Sequence, residues 1–209
     1  MPIETVVLVH GLWMNGMDMA VMRQRLAAAG YQTRQFSYHT IRDTPRESAR
    51  RLQDITATLD APVLHFLCHS LGGLIIRHLF HAFPDQRPGR IVTLGTPHRP
   101  SSAALQLMRF APGRLLLGRS AEEGLLGGAP PWRSDHELGS IAGDLRLGLG
   151  LLVPGIPRPN DGTVAVEETR LEGMKDHTVV HASHFGLLFS REAEWAVVRF
   201  LKTGTFGER

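Results

Sequence analysis

The stretch "LCHSLGGL", residues 67 to 74, places a serine between an apolar run and a pair of glycines. The run "VLHFL" at 63 to 67 predicts a buried strand, and Leu71 to Phe83 predicts a helix. A sharp turn from strand to helix pushes the central side chain outward, and its strain requires small neighbours such as Gly72 and Gly73. Ser70 is therefore a candidate nucleophile, and the helix N-terminus that follows it would favour a developing oxyanion.

Strands and helices alternate along most of the chain. Short apolar runs and alternating patterns predict strands at 5–9, 31–38, 63–67, 91–94, 137–143 and 177–182. Helices are predicted at 17–29, 44–59, 71–83 and 192–202, and the second opens with the capping pattern "TPRE". In that helix, Leu52, Ile55 and Leu59 are expected to share one apolar face. The alternation predicts an α/β fold with a mostly parallel sheet and helices on both faces.

Three suggestive segments follow predicted strands: "HGLW" after the first, "CHSLGG" after the third and "GTPH" after the fourth. Ligands of parallel sheets bind at the carboxyl ends of the strands, so these segments are expected to form one site. Residues 100–132 lose the sheet pattern and are rich in leucine, glycine and proline. We expect a cap or lid insertion there, with Leu115 and Leu116 lining a substrate pocket.

Length and composition limit the class of protein. The chain has 209 residues, of which 43% are hydrophobic and 21% charged, and this predicts a single domain over 1–209. One cysteine excludes an internal disulfide framework, and the N-terminal residues lack a secretory pattern, so a cytoplasmic location is expected. The net charge of +3 comes from scattered arginines, which argues against nucleic-acid binding and leaves transient contact with a membrane surface open. Since no apolar run reaches the roughly 18 residues that span a bilayer, integral membrane association is not expected. The oligomeric state is not indicated.

A serine hydroxyl needs a base to take its proton. His184 in "HASHFGLL" follows the last predicted strand and is the candidate base, and Asp161 in "RPNDGTV" is the candidate acid that orients it. Asp135, Asp144 and Glu168 compete for the acid role and are separated from Asp161 only by motif context. The chain order is then serine, acid, histidine.

Other reactive residues have simpler interpretations. Cys68 is expected to be a buried small hydrophobe, and His69 to pack or contact the rim of the site. His10 and His98 flank strand ends and are expected to stabilise loops, with His98 at the pocket. Histidines 177, 181 and 184 have helical metal-ligand spacing, but the β-branched residues around them favour a strand and loop, so no metal is expected.

The segments "VVLVHGLW", "HFLCHSLGGLI", "IVTLGTPH", "NDGTV" and "HASHFGLL" together resemble the alpha/beta hydrolases, in particular small lipase-like and GPI-inositol-deacylase-like members. The resemblance implies Ser70 as nucleophile, Asp161 as acid and His184 as base. It also implies an oxyanion hole formed by the N–H groups of Leu12 and Leu71, with His10 and Gly11 shaping the loop that presents Leu12. Two positions depart from the family pattern, because Cys68 replaces the usual glycine and "GTPH" continues as "RPSS".

The sequence therefore predicts a serine hydrolase that cleaves carboxylic esters, with a small-molecule or lipid ester as substrate and no cofactor. Residues His10, Gly11, His69 and His98 are included in the expected substrate site. A thioesterase or acyltransferase with the same three residues remains an alternative, and a non-catalytic ligand-binding protein is a further one. Fold and motif do not name the acyl or alcohol group, since one fold hosts many chemistries.

Overall fold

A computed structural model describes residues 4–148 and 153–207, so the predicted boundaries at residues 1 and 209 lie outside the described residues. The described residues contain six strands: β1 Thr5–Val9, β2 Gln32–Phe36, β3 Leu64–His69, β4 Ile91–Leu94, β5 Leu138–Gly143 and β6 Asp176–Val180. They form one sheet in the order β2-β1-β3-β4-β5-β6, and every neighbouring pair is parallel. The α/β fold class predicted from the sequence is confirmed.

The helices lie where the sequence predicts them, with two additions. They are α1 Ala20–Ala28, α2 Pro45–Ala57, α3 Leu71–Ala82, α4 Ser102–Leu107, α5 Ala111–Leu117 and α6 Arg191–Thr203. The capping box of α2 is present: the Thr44 hydroxyl accepts from the Glu47 N–H at 3.2 Å, and the Glu47 carboxylate accepts from the Thr44 N–H at 2.8 Å. The expected apolar face of α2 is wrong in part, because Ile55 is 43% exposed and Leu59 lies beyond the helix.

Two layers of helices cover the sheet. Val7 and Val9 of β1 face the cluster that packs against α2 and α3, whereas Val6 and Leu8 face the cluster formed with α1 and α6. Because both faces of β1 are buried, its sequence is continuously apolar instead of alternating. Among the described residues, no helix has the length and apolar character required to cross a membrane.

The strand order fixes the position of the site. After β1 the chain moves outward to β2 and returns across β1 to β3, so the direction of winding reverses between β1 and β3. In open parallel sheets a crevice forms at the carboxyl ends of the strands where this reversal occurs. The loop after β1, the turn after β3 and the loop after β4 therefore meet at one edge of the sheet.

Candidate active site

Ser70 occupies the turn between β3 and α3 in a strained backbone conformation, with φ 52° and ψ −120°. The Ser70 N–H donates to the Leu94 carbonyl at 2.9 Å, and the Thr96 hydroxyl donates to the Ser70 carbonyl at 2.8 Å. A Cβ atom at Gly72 would overlap the Val9 carbonyl, and one at Gly73 would overlap the Thr96 side chain. The two glycines therefore let the turn pack against β1 and β4, as the strained turn requires.

His184 and Asp161 are brought next to Ser70 from distant parts of the chain. His184 Nε2 lies 3.0 Å from Ser70 Oγ, and His184 Nδ1 lies 2.7 Å from Asp161 Oδ2. Asp161 is fully buried, and its other carboxylate oxygen accepts from the N–H groups of Thr163 and Val164. The carboxylate is thus held in place, and it can fix the imidazole with Nε2 directed at the serine.

Gly95 is a residue of this site that sequence reasoning missed. Its φ of 56° lies in the left-handed region, and a Cβ atom there would be 3.0 Å from His184 Nδ1 and 3.1 Å from Asp161 Oδ2. A side chain at this position would press on the His184–Asp161 hydrogen bond. The signal in the sequence was the glycine of "GTPH" directly after a strand, but its spatial neighbours come from residues more than sixty positions away.

The competing acids have other partners. Asp144 pairs with the exposed His181 at 2.8 Å, and Glu168 accepts from the N–H groups of Ser102 and Ala165. Asp135 lines a separate cleft that also contains His65 and Glu137. The three histidines with metal-like spacing diverge, since His177 contacts Thr169, His181 contacts Asp144 and His184 contacts Ser70 and Asp161.

The two predicted oxyanion donors lie in the loop after β1 and at the start of α3. Leu12 lines the cavity in front of Ser70, and Leu71 is the first residue of α3, where a helix leaves its N–H groups without intrahelical acceptors. Within the described residues neither N–H has a hydrogen-bond acceptor. Both groups are therefore available to a ligand.

His69 lines the cavity and also contacts the base. Its Nε2 lies 3.0 Å from the His184 carbonyl and must carry the proton to donate, and its ring centroid is 4.8 Å from that of His184. Burial, reinforced by the neighbouring His184, lowers the pKa of His69 to about 3, so the ring is neutral. A neutral His69 ties the turn of the nucleophile to the loop of the base without adding a positive charge beside His184.

Three other residues expected to bind substrate lie outside the cavity wall. His10 is buried, its Nδ1 contacts the Gly11 carbonyl at 3.0 Å, and its ring stacks on Tyr38. Gly11 packs against His69 and Ser70, where a Cβ atom would come within 3.0 Å of both. His98 is buried with Nε2 3.1 Å from the Thr93 hydroxyl, while its neighbour Pro97 reaches the cavity. These residues contact the loops of the site, and their inclusion among the substrate-binding residues stays a prediction.

The cavity in front of Ser70 has a volume of about 440 Å³, within the range of small-molecule sites. Its walls are mainly apolar, and the side formed by the segment between β4 and β5 comprises Ala103, Ala104, Leu107, Leu117 and Leu125. Leu115 and Leu116, the expected substrate contacts, are not among the residues that line the cavity in this structure. Leu115 is 78% exposed and Leu116 is also exposed, because the short helix α5 turns Leu117, 2% exposed, toward the cavity instead.

Cys68 is fully buried in β3, as expected, and burial raises the pKa of its thiol. It pairs in register with Val9 of β1 and Thr93 of β4. The larger residue in place of the usual glycine is thus accommodated between neighbouring strands and does not reach the cavity lining.

Solved structures share this architecture over nearly the whole chain. The mature form of the lipase BlEst2 from Bacillus licheniformis superimposes with a TM-score of 0.73 at 20% identity, covering 96% of this chain and 91% of that one. The chain has the alpha/beta-hydrolase fold. Two further alpha/beta hydrolases are similar: MGS-MChE2, from the metagenome of lagoon sediments at Mar Chica, Morocco (TM-score 0.66, 16% identity, 96% and 91% coverage), and a pyrethroid hydrolase from Sphingobium faniae JZ-2 (0.61, 18%, 96% and 98%).

A sequence family described as "Putative serine esterase (DUF676)" matches residues 2–99 of this alpha/beta-hydrolase chain. The matched part contains Leu12 and Ser70 and ends before Asp161 and His184. No curated protein matches the chain in sequence.

Proposed function

We propose that this protein is a serine hydrolase that cleaves carboxylic esters by two-step acyl transfer. The observation that carries the proposal is the continuous hydrogen-bonded series from Ser70 Oγ through His184 to the buried Asp161, with distances of 3.0 and 2.7 Å. The cavity opens directly onto this series. The match to a serine esterase family and the esterase and lipase neighbours support the same class.

In the proposed mechanism, Ser70 Oγ attacks the ester carbonyl carbon while His184 Nε2 takes the hydroxyl proton. The carbonyl oxygen becomes an oxyanion that accepts from the N–H groups of Leu12 and Leu71. Collapse of this intermediate breaks the ester bond, and His184 returns the proton to the departing alcohol. A water molecule then attacks the acyl group on Ser70, again giving its proton to His184. The bond between the acyl carbon and Ser70 Oγ breaks, His184 returns the proton to Oγ, and the free acid leaves. Asp161 holds the imidazole and stabilises its protonated form.

The cavity supports an uncharged acyl chain as the group that binds beside Ser70. Among the described residues, its lining contains no lysine or arginine, and it includes Asp18. The Asp18 carboxylate disfavours a negatively charged group on the substrate. Each buried methylene contributes up to about 0.8 kcal/mol, so apolar walls favour acyl chains of medium length over acetyl. The reaction needs no cofactor, because the chain supplies the nucleophile, the base and the oxyanion donors.

Exposed apolar residues around the cavity support contact with a lipid surface. They are Trp13, Leu105, Phe110, Leu115, Leu116 and Phe185. Arg109 and Arg114 lie within residues 100 to 121 without an ion-pair partner among the described residues and favour anionic lipid, whereas Arg119 pairs with Glu47 and Glu122. Cosedimentation with phosphatidylglycerol and phosphatidylcholine vesicles measures this contact, and absence from both pellets would contradict it.

Labelling by a fluorophosphonate probe tests the proposed nucleophile. Ser70→Ala should abolish labelling and reduce ester hydrolysis by at least about a thousandfold, since the three residues act as a unit. Cys68→Ala is the control, because the buried thiol should not react and its loss should leave labelling intact. Labelling that survives in Ser70→Ala and disappears in Cys68→Ala would assign the nucleophile to the cysteine. Matched oxygen esters and thioesters, assayed with and without an acceptor alcohol, separate esterase from thioesterase and acyltransferase activity.

A further inference from the structure

Trp13 directly follows Leu12 and has a backbone φ of 60°, in the left-handed region. It is the third residue of a turn from Gly11 to Met14, which is closed by the Met14 N–H donating to the Gly11 carbonyl at 3.4 Å. Positive φ at the third position of a turn favours glycine or asparagine, and a large aromatic residue there is strained. Strain of this kind persists only where surrounding contacts hold the residue in place.

Two hydrogen bonds hold Trp13. Its backbone N–H donates to the buried Thr40 hydroxyl at 3.2 Å, and its indole Nε1–H donates to the Leu116 carbonyl at the end of α5 at 2.9 Å. The two partners are themselves connected, because the Arg119 N–H donates to the Ile41 carbonyl at 2.8 Å. The turn, the loop at 40–41 and the end of α5 thus form a closed set of hydrogen bonds.

This set acts on the Leu12 N–H through the turn. The Leu12 N–H and the Gly11 carbonyl belong to one planar peptide unit, so the bond that closes the turn helps to set the direction of the N–H, together with the contact of His10 Nδ1 to the same carbonyl at 3.0 Å. If Trp13 relaxed to a negative φ, the chain direction at Met14 would change and this closing bond would be lost. The side chain of Trp13 is half-exposed, so burial of the ring alone does not explain its strained backbone.

We propose that Trp13 is a positioning residue, which through its bonds to Thr40 and Leu116 holds the Leu12 N–H in the direction of the oxyanion. This inference rests on the proposed ester hydrolysis and adds a residue that lines the cavity and acts on the oxyanion through Leu12. It also gives the end of α5 a role other than lining the cavity. The exposed Leu115 and Leu116 lie where α5 docks on the turn, and the Leu116 contribution is its backbone carbonyl.

Trp13→Phe tests the proposal, because phenylalanine keeps an aromatic ring but lacks the indole N–H. The substrate is p-nitrophenyl acetate, whose short acyl group makes little use of the cavity wall. An oxyanion donor acts mainly in the transition state, so displacing one should lower kcat and leave KM nearly unchanged. Removing a donor outright costs about 100- to 1,000-fold in kcat, and we expect roughly a tenfold loss for a displaced one. Affinity for a trifluoromethyl ketone inhibitor, which forms a tetrahedral adduct, should fall in parallel.

Thr40 provides a second and independent test. Thr40→Val removes the acceptor for the Trp13 N–H and should also lower kcat, whereas Thr40→Ser keeps the hydroxyl and should restore it. Trp195→Phe is the matched control, because Trp195 is 70% exposed on α6, away from the cavity lining. If Trp13→Phe does not fold, the Thr40 pair decides the question.

An unchanged kcat in both Trp13→Phe and Thr40→Val, or a rise in KM alone, would overturn the positioning role. Either result, obtained with an active wild type, leaves the proposed ester hydrolysis standing. A wild-type protein that neither reacts with the fluorophosphonate probe nor turns over any ester would instead refute the proposed function itself.

Discussion

Leu117 and Leu115 lie two residues apart on α5 but have opposite environments, and this offers a sharp test of the acyl pocket. Leu117 is 2% exposed and lines the cavity, whereas Leu115 is 78% exposed and does not. Leu117→Ala should therefore weaken the preference for longer acyl chains, and Leu115→Ala should leave it unchanged. Leu115→Ala is therefore the matched control for Leu117→Ala, because it removes the same side chain from the same short helix.

The expected magnitude follows from the apolar area that the chain can bury. Octanoyl esters carry four more methylenes than butyryl esters, which sets an upper limit of about 3 kcal/mol, or roughly two hundredfold in kcat/KM. Leucine at 117 forms one of several apolar walls, so its truncation should remove about 1 to 1.5 kcal/mol of that preference. The ratio of octanoyl to butyryl activity is then expected to fall on the order of tenfold.

The assay compares p-nitrophenyl butyrate and octanoate, below substrate aggregation, for wild type, Leu117→Ala, Leu117→Met and Leu115→Ala. Truncating a buried leucine costs about 2 to 5 kcal/mol of folding stability, but a ratio of two substrates on one sample cancels the amount of folded enzyme. Leu117→Met conserves volume and should retain most of the preference. A wild type that prefers butyrate, or a ratio equally reduced by Leu115→Ala, would refute the assignment of this wall.

Two further predictions concern the acid and the buried histidines. Asp161→Asn should cut turnover by several orders of magnitude with little change in KM, because the amide favours the wrong imidazole tautomer. Asp144→Asn should have a mild effect. Steady-state kinetics measure both variants, and a larger loss in Asp144→Asn would show that the acid is misplaced. Burial lowers the pKa values of His69 and His98 to about 3, well below the value of about 6.5 expected in the unfolded chain. The unfolded chain therefore binds more protons below pH 6.5, and stability should be complete above that pH and decrease as the pH falls toward 3, by about 2 kcal/mol per histidine at pH 5. His177, whose pKa is lowered to about 4, adds to this loss. Urea unfolding at pH 7.5 and 5 measures it, His98→Gln should reduce it by about 2 kcal/mol, and a pH-independent midpoint would argue against buried neutral histidines.

The four central strands were predictable because they are buried on both faces. Such strands are continuous apolar runs, and β1 and β4 were predicted with the bounds that the structure gives. The Thr44 capping box was likewise encoded locally, within four residues. These features depend on near neighbours in the chain, so a single sequence contains the information needed to place them.

The residues around Ser70 were only partly predictable. Motif context placed Ser70, Asp161 and His184 at loops, and the structure brings their side chains within hydrogen-bonding distance. Motif context did not predict the direction in which a side chain points at the end of a strand. His98 and Pro97 are adjacent in sequence, yet His98 turns inward to Thr93 and Pro97 reaches the cavity. That difference depends on how the loop folds back on β4, and the periodicity of the sequence does not report it.

In the segment between β4 and β5, the direction of a side chain was again not predictable, and there it determines which residue lines the cavity. Three consecutive leucines from 115 to 117 give no periodic signal, so hydrophobicity alone could not decide which of them faces the cavity. Hydrogen bonds to distant residues fix the orientation. The Trp13 indole N–H donates to the Leu116 carbonyl, and the Arg119 N–H donates to the Ile41 carbonyl. Gly118, with φ 54° and its Cα against Ile41, ends α5 between these two anchors. The orientation of Leu117 is therefore set by contacts with the loops after β1 and β2, and a change in the Trp13 turn should alter both the oxyanion donor and the wall that holds the acyl chain.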